Sequence, residues 1–125
     1  IHPESYRALP HKLKFAYQWI LNKWPNVQWL VKVDDDTVVR MDTLQAVVLD
    51  SLNPAKPIVA GNIIKDAPVQ KTGKWAEPLY TESETYPYWP KGSCGHAVSR
   101  PVAEYLSQKA AAGELTLYQG EDTSL

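Results

Sequence analysis

The sequence predicts an α/β fold in which helices and strands alternate, and three observations carry that prediction. Leu13, Ala16, Tyr17, Ile20 and Trp24 recur at helical spacing within residues 12–24, while Lys12, Lys14, Gln18 and Lys23 fall mostly elsewhere. Val27, Trp29, Val31 and Val33 then alternate with other residues, the period-two pattern of a strand. Met41, Leu44, Val48 and Leu52 restore the helical spacing. Helix, strand and helix in succession build layered α/β domains. A chain of 125 residues is long enough for one such domain and too short for two.

Taken in order, residues 6–10 (YRALP) lead in, and Pro10 disfavours a helix running through them. Pro25 and Asn26 stop the first helix. The strand over residues 27–33 ends abruptly in Asp34, Asp35 and Asp36, at the C-terminal end where open α/β sheets place their ligands. Alternation puts Asp34 and Asp36 on one side and Asp35 on the other. Residues 37–40 read as a short extended piece. Asp42, with Gln45 three residues later, reads as an N-cap and capping box for a helix running to about Leu52, which Asn53 and Pro54 end. Residues 57–64 give one or two buried strands, with Gly61 marking a bulge or a close approach.

Residues 65–91 are polar and carry Pro68, Gly73, Pro78, Pro87 and Pro90, so they read as a long loop, with strands near Trp75 and over residues 79–81. Its aromatics, Trp75, Tyr80, Tyr86, Tyr88 and Trp89, either line an acceptor groove or pin the loop down on itself. Residues 92–98 (GSCGHAV) bring small side chains together, as where a backbone approaches another backbone or a ligand. Ser99 is the expected N-cap of a helix over residues 100–112, with Val102, Tyr105 and Leu106 inward and Gly113 ending it. Residues 115–117 suggest an extended link, and Gly120, Glu121 and Asp122 open a further helix. The chain starts at Ile1 and stops just inside that helix, which suggests a portion of a longer protein.

The bulk numbers narrow the function. A net charge of −1 leaves no basic stripe for nucleic acid. No apolar run approaches the roughly 18 residues of a membrane span. Cys94 is the single cysteine, which excludes an internal disulfide and a cysteine-based zinc site. Five Trp and seven Tyr against one Phe favour side chains with a flat apolar face and a polar edge, suited to sugars as well as to packing.

The acidic triplet holds the chemistry. Carboxylates about 5 Å apart repel by roughly 3 kcal/mol at an effective dielectric near 20, so a partly buried cluster favours a cation. Hard oxygen ligands select Mg²⁺, Mn²⁺ or Ca²⁺ over zinc. The plain alternative is three solvated turn residues. A calcium-loop reading fails on spacing, because it puts Val39 where the loop needs Gly and Gln45 where it needs a bidentate Glu. An apolar strand followed by Asp34-x-Asp36 resembles the nucleophile motif of haloacid-dehalogenase-like phosphohydrolases, with Glu121 and Asp122 as distant ligands, but no glycine follows before Gly61. In nucleotide-sugar transfer, a metal on Asp34 and Asp36 neutralises a diphosphate leaving group and a second carboxylate takes the acceptor proton. Asp122 is the first candidate for that base and Glu121 the second; otherwise the pair only complements a helix N-terminus.

Residues 6–12 (YRALPHK), 29–36 (WLVKVDDD), Lys74-Trp75, Tyr86-Pro87, Gly95 with Ser99, and Glu121-Asp122 occur in an order and spacing that resemble the β-1,3-galactosyltransferase family, glycosyltransferase family 31. The resemblance covers nearly the whole chain. It implies a glycosyltransferase-A-type, Rossmann-like sheet flanked by helices, here in part. The N-terminal nucleotide-binding strand and the C-terminal portion would lie outside residues 1–125. It also implies Mn²⁺, a UDP-sugar donor, and inverting transfer of galactose or an N-acetylhexosamine to a glycan hydroxyl in a β-1,3 linkage. Asp36 and Asp34 would hold the metal, with Asp36 the direct ligand. Lys12, Asp34, Asp35, Trp75, Gly95 and Glu121 would meet the donor, and Asp122 would be the base. The acceptor would be a glycoprotein, glycolipid or proteoglycan. A type II anchor upstream of Ile1 would hold the domain in the Golgi lumen. Two departures stand out: Cys94 sits a few residues later than the family's cysteine, and His96 stands where an aromatic is common. A non-catalytic carbohydrate-binding relative is the alternative within the same fold.

Overall fold

The computed structural model describes residues 9–74, 76–78 and 80–114. Helix α1 (Leu9–Lys23) takes Pro10 into its first turn, where the missing N–H leaves no hydrogen bond unmade. The proline expected to precede the helix therefore starts it. Pro10, Lys14 and Tyr17 are buried, and Leu13, Ile20 and Leu21 pack against the core. Ala16 and Trp24, assigned to the same inner face by spacing, are exposed. The buried stripe is rotated toward helix α3 (Arg100–Ala111), against which α1 makes most of its contacts.

Strand β1 (Trp29–Lys32) is followed, after a turn, by helix α2 (Met41–Thr43), which continues as a π-helical stretch (Leu44–Val48) and a 3-10 turn (Leu49–Ser51). The expected capping box does not form. Arg40 occupies the N-cap position without a side-chain hydrogen bond, and Asp42 lies inside the first turn. The helix starts two residues before the register that a capping Asp42 requires. Beyond it, Asn53 Oδ1 accepts from the Ala55 N–H at 3.0 Å, an Asx turn that ends the element.

Strands β2 (Val59–Gly61), β3 (Ile63–Ile64), β4 (Trp89–Pro90) and β5 (His96–Ser99) complete the set. The main sheet has the order β1-β5-β2, with β5 antiparallel to both neighbours. The small-residue stretch after Gly92 thus supplies the central strand, buried at all four positions. A strand covered on both faces shows no alternation, which is why its letters suggested only close approach. The α/β class holds. Among the described residues the three-stranded sheet is antiparallel throughout.

Leu30, Val98 and Val59 form a cross-strand row facing α1 and α3, and with Tyr17, Ala103 and Leu106 they make the principal core. Helix α3 buries Ala103 and Leu106, with Val102 half-buried. Tyr105, expected inward, is 57% exposed because the buried stripe runs through Ala103 and Leu106 and leaves it on the outer face. Ser99 takes the N-cap position, but its hydroxyl accepts from the Ile58 N–H at 2.9 Å and donates to the Lys56 carbonyl at 2.7 Å. It ties the approach to β2 onto the central strand. Gly113 ends the helix at φ +70°.

Residues 65–88 carry a core of their own. Val69 donates to the Glu84 carbonyl and Tyr86 to the Ala67 carbonyl, both at 2.9 Å. Val69 and Tyr86 are buried together, with Ala67, Tyr80 and Trp89 against them. The Tyr80 and Tyr86 rings stack at 6.4 Å, and Lys71 Nζ donates to the Tyr80 carbonyl at 2.5 Å. Of the two readings of these aromatics, the packing one describes Tyr80, Tyr86 and Trp89; Tyr88 is exposed. Tyr80 and Thr81 are not in a strand, and Trp75 and Leu79 lie outside the described residues.

Candidate active site

Strand β1 pairs with β5 as far as Lys32 opposite His96, and there the ladder stops. Asp34, Asp35 and Asp36 follow in a turn closed by the Thr37 N–H on the Asp34 carbonyl at 3.1 Å. The alternation expected to sort the carboxylates ends short of them, so the turn backbone places them instead. Lys32 Nζ donates to Asp34 Oδ1 at 2.5 Å, with the two side chains 21% and 42% exposed. Thr37 Oγ1 donates to Asp36 Oδ1 at a long 3.4 Å. Asp35 and Asp36 are exposed.

Two glycines fix the backbone under this turn. Gly95 has φ +73° and ψ 164°, a conformation essentially confined to glycine. A Cβ there would sit 2.8 Å from Val33 Cγ1 and 3.1 Å from the Lys32 carbonyl oxygen. At Gly61, a Cβ would come within 3.1 Å of His96 Cβ. The close approaches read from the sequence at both glycines are present. Lys32, His96 and Gly61 thereby form a second cross-strand row beside Leu30, Val98 and Val59, at the end of the sheet next to the acidic turn. His96 is 3% exposed and belongs to that buried row.

A cleft lies on either side of the strand end. One, of about 470 Å³, is lined by Leu9, Lys12, Leu13 and Ala16 of α1 together with residues 32–36. The other, of about 450 Å³, is largely apolar and takes Val31, Leu44, Val48, Ala60, Gly95 and Ala97 among its walls. The first cleft brings together Lys12, Asp34, Asp35 and Asp36 from the sequence-predicted set. Gly95 faces the second and supports the strand end. Trp75, Glu121 and Asp122 lie outside the described residues. Lys32 was not among the predicted site residues, although a lysine two positions before an aspartate at the end of a strand was the available signal.

Three carboxylates against two ammonium groups leave the first cleft with a formal charge of −1. Among the described residues, no three His, Cys, Asp or Glu side chains converge to hold an ion by themselves. The donor set fits a small hard cation of the Mg²⁺ or Mn²⁺ type, which binds through one or two carboxylates and completes its shell with water and substrate phosphates. Among the described residues, no helix is long and apolar enough to cross a membrane.

Comparison with known proteins places this geometry in context. The Galactosyltransferase family profile matches residues 2–125. The chain is 30% identical over 122 residues to UDP-GalNAc:beta-1,3-N-acetylgalactosaminyltransferase 2 of Xenopus tropicalis, covering 98% of this chain and 24% of that protein. The Homo sapiens protein of the same name gives 30% over 122 residues, covering 98% of this chain and 23% of that protein. Beta-1,3-galactosyltransferase 1 of Mus musculus gives 30% over 107 residues, 82% of this chain and 32% of that protein. The chain thus spans between about a quarter and a third of the length of these relatives.

Proposed function

The chain belongs to the galactosyltransferase family, and on that premise we propose that it is the acidic-motif part of a catalytic domain of glycosyltransferase-A type. That domain transfers galactose or an N-acetylhexosamine from a UDP-sugar to a glycan hydroxyl, with inversion and formation of a β-1,3 linkage. The reading places it in the Golgi lumen, held by a membrane anchor outside residues 1–125 and acting on a glycoprotein, glycolipid or proteoglycan. The observation that carries it is the Asp34–Asp36 turn at the end of β1, opening on a cleft with Lys12 and Lys32 at its wall.

The charges support a nucleotide diphosphate with a metal. A diphosphate brings about two negative charges into a cleft already formally negative, and the two lysines do not offset them. Asp36 and Asp34 would hold Mn²⁺, which when bound supplies charge neutralisation at the departing diphosphate. Lys12 reaches the same cleft from α1 and suits the phosphate oxygens as a point charge. Asp122 would take the proton from the acceptor hydroxyl as that oxygen attacks the anomeric carbon, with Glu121 beside it.

The test uses the full-length protein and a panel of UDP-sugars with Mn²⁺. Asp36→Ala is expected to abolish metal-dependent transfer. Asp122→Asn should keep UDP-sugar binding while turnover falls by about 10²- to 10⁴-fold, because only the proton acceptor is lost. Undiminished turnover in Asp122→Asn removes that residue from its role, and binding without transfer across the whole panel favours the carbohydrate-binding relative.

A further inference from the structure

We propose that Lys32 is a positioning residue of this site: its ammonium acts as a built-in counter-cation that orients Asp34 and competes with a divalent ion for it, leaving Asp36 to the ion. The inference rests on the transferase reading above, in which Asp36 is already the direct ligand, and adds to it the residue that orients Asp34.

The two ends of the Lys32–Asp34 pair are anchored very differently. Lys32 is a strand residue whose backbone is paired with His96 and lies 3.1 Å from where a Cβ on Gly95 would sit. Its stem lies in the row at the sheet end, and the side chain is only 21% exposed. Asp34 sits in the turn with twice that exposure, at 42%. A strand-anchored cation therefore holds a turn-borne carboxylate, and the 2.5 Å contact fixes where one Asp34 oxygen lies. Among the described residues Asp36 carries only a long contact from the Thr37 hydroxyl, so its oxygens are the more available to an incoming ion. A half-exposed ion pair of this kind contributes little to stability. Its consequence is geometric, and geometry at a reacting centre is where small displacements cost most.

The experiment measures metal and donor binding separately in the full-length protein, without turnover. Free Mn²⁺ is titrated by electron paramagnetic resonance, and UDP-sugar binding at saturating Mn²⁺ by calorimetry. In Lys32→Met, which keeps the stem and removes the charge, Mn²⁺ affinity should tighten by about three- to tenfold, since a repelling charge is gone and an Asp34 oxygen is released. UDP-sugar affinity should weaken by about tenfold as Asp34 loses its orientation. Lys32→Arg should restore Mn²⁺ affinity to within about twofold of the wild type. A structural role predicts that both affinities fall together or that neither moves, and either result overturns the proposal.

Asp34→Asn keeps the test decisive if Lys32→Met does not fold, because the turn is exposed. It should lose less than about tenfold in Mn²⁺ affinity, and Asp36→Asn more than about a hundredfold. Equal losses overturn the division of labour. Lys32→Met added to Asp34→Asn should weaken donor binding no further, and additive losses overturn the orienting role. If the wild-type protein binds neither Mn²⁺ nor any UDP-sugar, the transferase reading fails and takes this inference with it. If it binds both and the Lys32 variants match it, the Lys32 inference alone fails.

Discussion

The sheet with its two helices and the segment over residues 65–88 are built on opposite plans. The principal core joins Tyr17 of α1 and Leu30 of β1 to Val98 of β5 and Ala103 and Leu106 of α3, two pairs of elements far apart in sequence. The smaller core joins Val69 and Tyr86, backed by Ala67, Tyr80 and Trp89, within one stretch of chain. The acidic turn hangs from the first plan, since its position follows from where β1 stops pairing with β5. The difference teaches that the site's geometry depends on long-range strand pairing. The segment rich in aromatics packs largely on itself and joins the rest through the β3–β4 pairing.

The sharpest way to break this comparison is to hollow out each core in turn. Leu106 is 4% exposed, and Leu106→Ala is expected to cost about 2–5 kcal/mol. Because its neighbours span four elements, hydrogen exchange should lose protection in α1, β1, β5 and α3 together. Tyr86→Ala should lower protection over residues 67–90 and leave β5 unchanged. Equal loss in β5 from both substitutions would make the two regions a single cooperative unit.

Gly95→Ala comes next in size and tests the link between sheet and turn. The backbone conformation alone costs about 1–3 kcal/mol for a residue with a Cβ. The clash with Val33 Cγ1 and the Lys32 carbonyl adds to it, for a total of about 2–4 kcal/mol in urea denaturation. The protein that remains folded should bind Mn²⁺ more weakly, because the strand end under Asp34 must shift. Wild-type metal affinity in the folded fraction would show that the turn is set independently of Gly95.

Periodic burial explains what was legible. Helices α1 and α3 and strand β1 lie where apolar spacing put them, and Gly61 marks a real close approach. The central strand was not legible, because His96, Ala97, Val98 and Ser99 are buried on both faces and carry no alternation. Side-chain direction was lost where packing overrode spacing, as at Trp24 and Tyr105, both exposed. The letters of the site were plain in Asp34, Asp35 and Asp36, and their setting in a turn was read only as the plain alternative to a strand-end cluster. Strand β1 ends at Lys32 because β5 begins at His96, and the limit is imposed from a distant part of the chain. The Lys32–Asp34 pair follows from the same fact.

The smallest effect separates the two regions by pH. Burial pushes the Tyr86 phenol above its ordinary value, a backbone hydrogen bond with Gln70 opposes this, and the charges of Glu77 and Tyr80 reinforce it. Above about pH 10, an unfolded chain gives up this proton while folded Tyr86 keeps it. The unfolded state then binds fewer protons, so stability falls as pH rises, having been fully present below that value. The loss should begin in the segment that owns Tyr86, with tryptophan fluorescence near Trp89 and proteolysis over residues 67–88 changing before the far-ultraviolet signal of α1 and α3. Tyr86→Phe keeps the ring without the titrating hydroxyl and should move that early step to higher pH. An unshifted step in Tyr86→Phe would mean that another group opens the segment, and the stacked tyrosines would no longer be what holds it to itself.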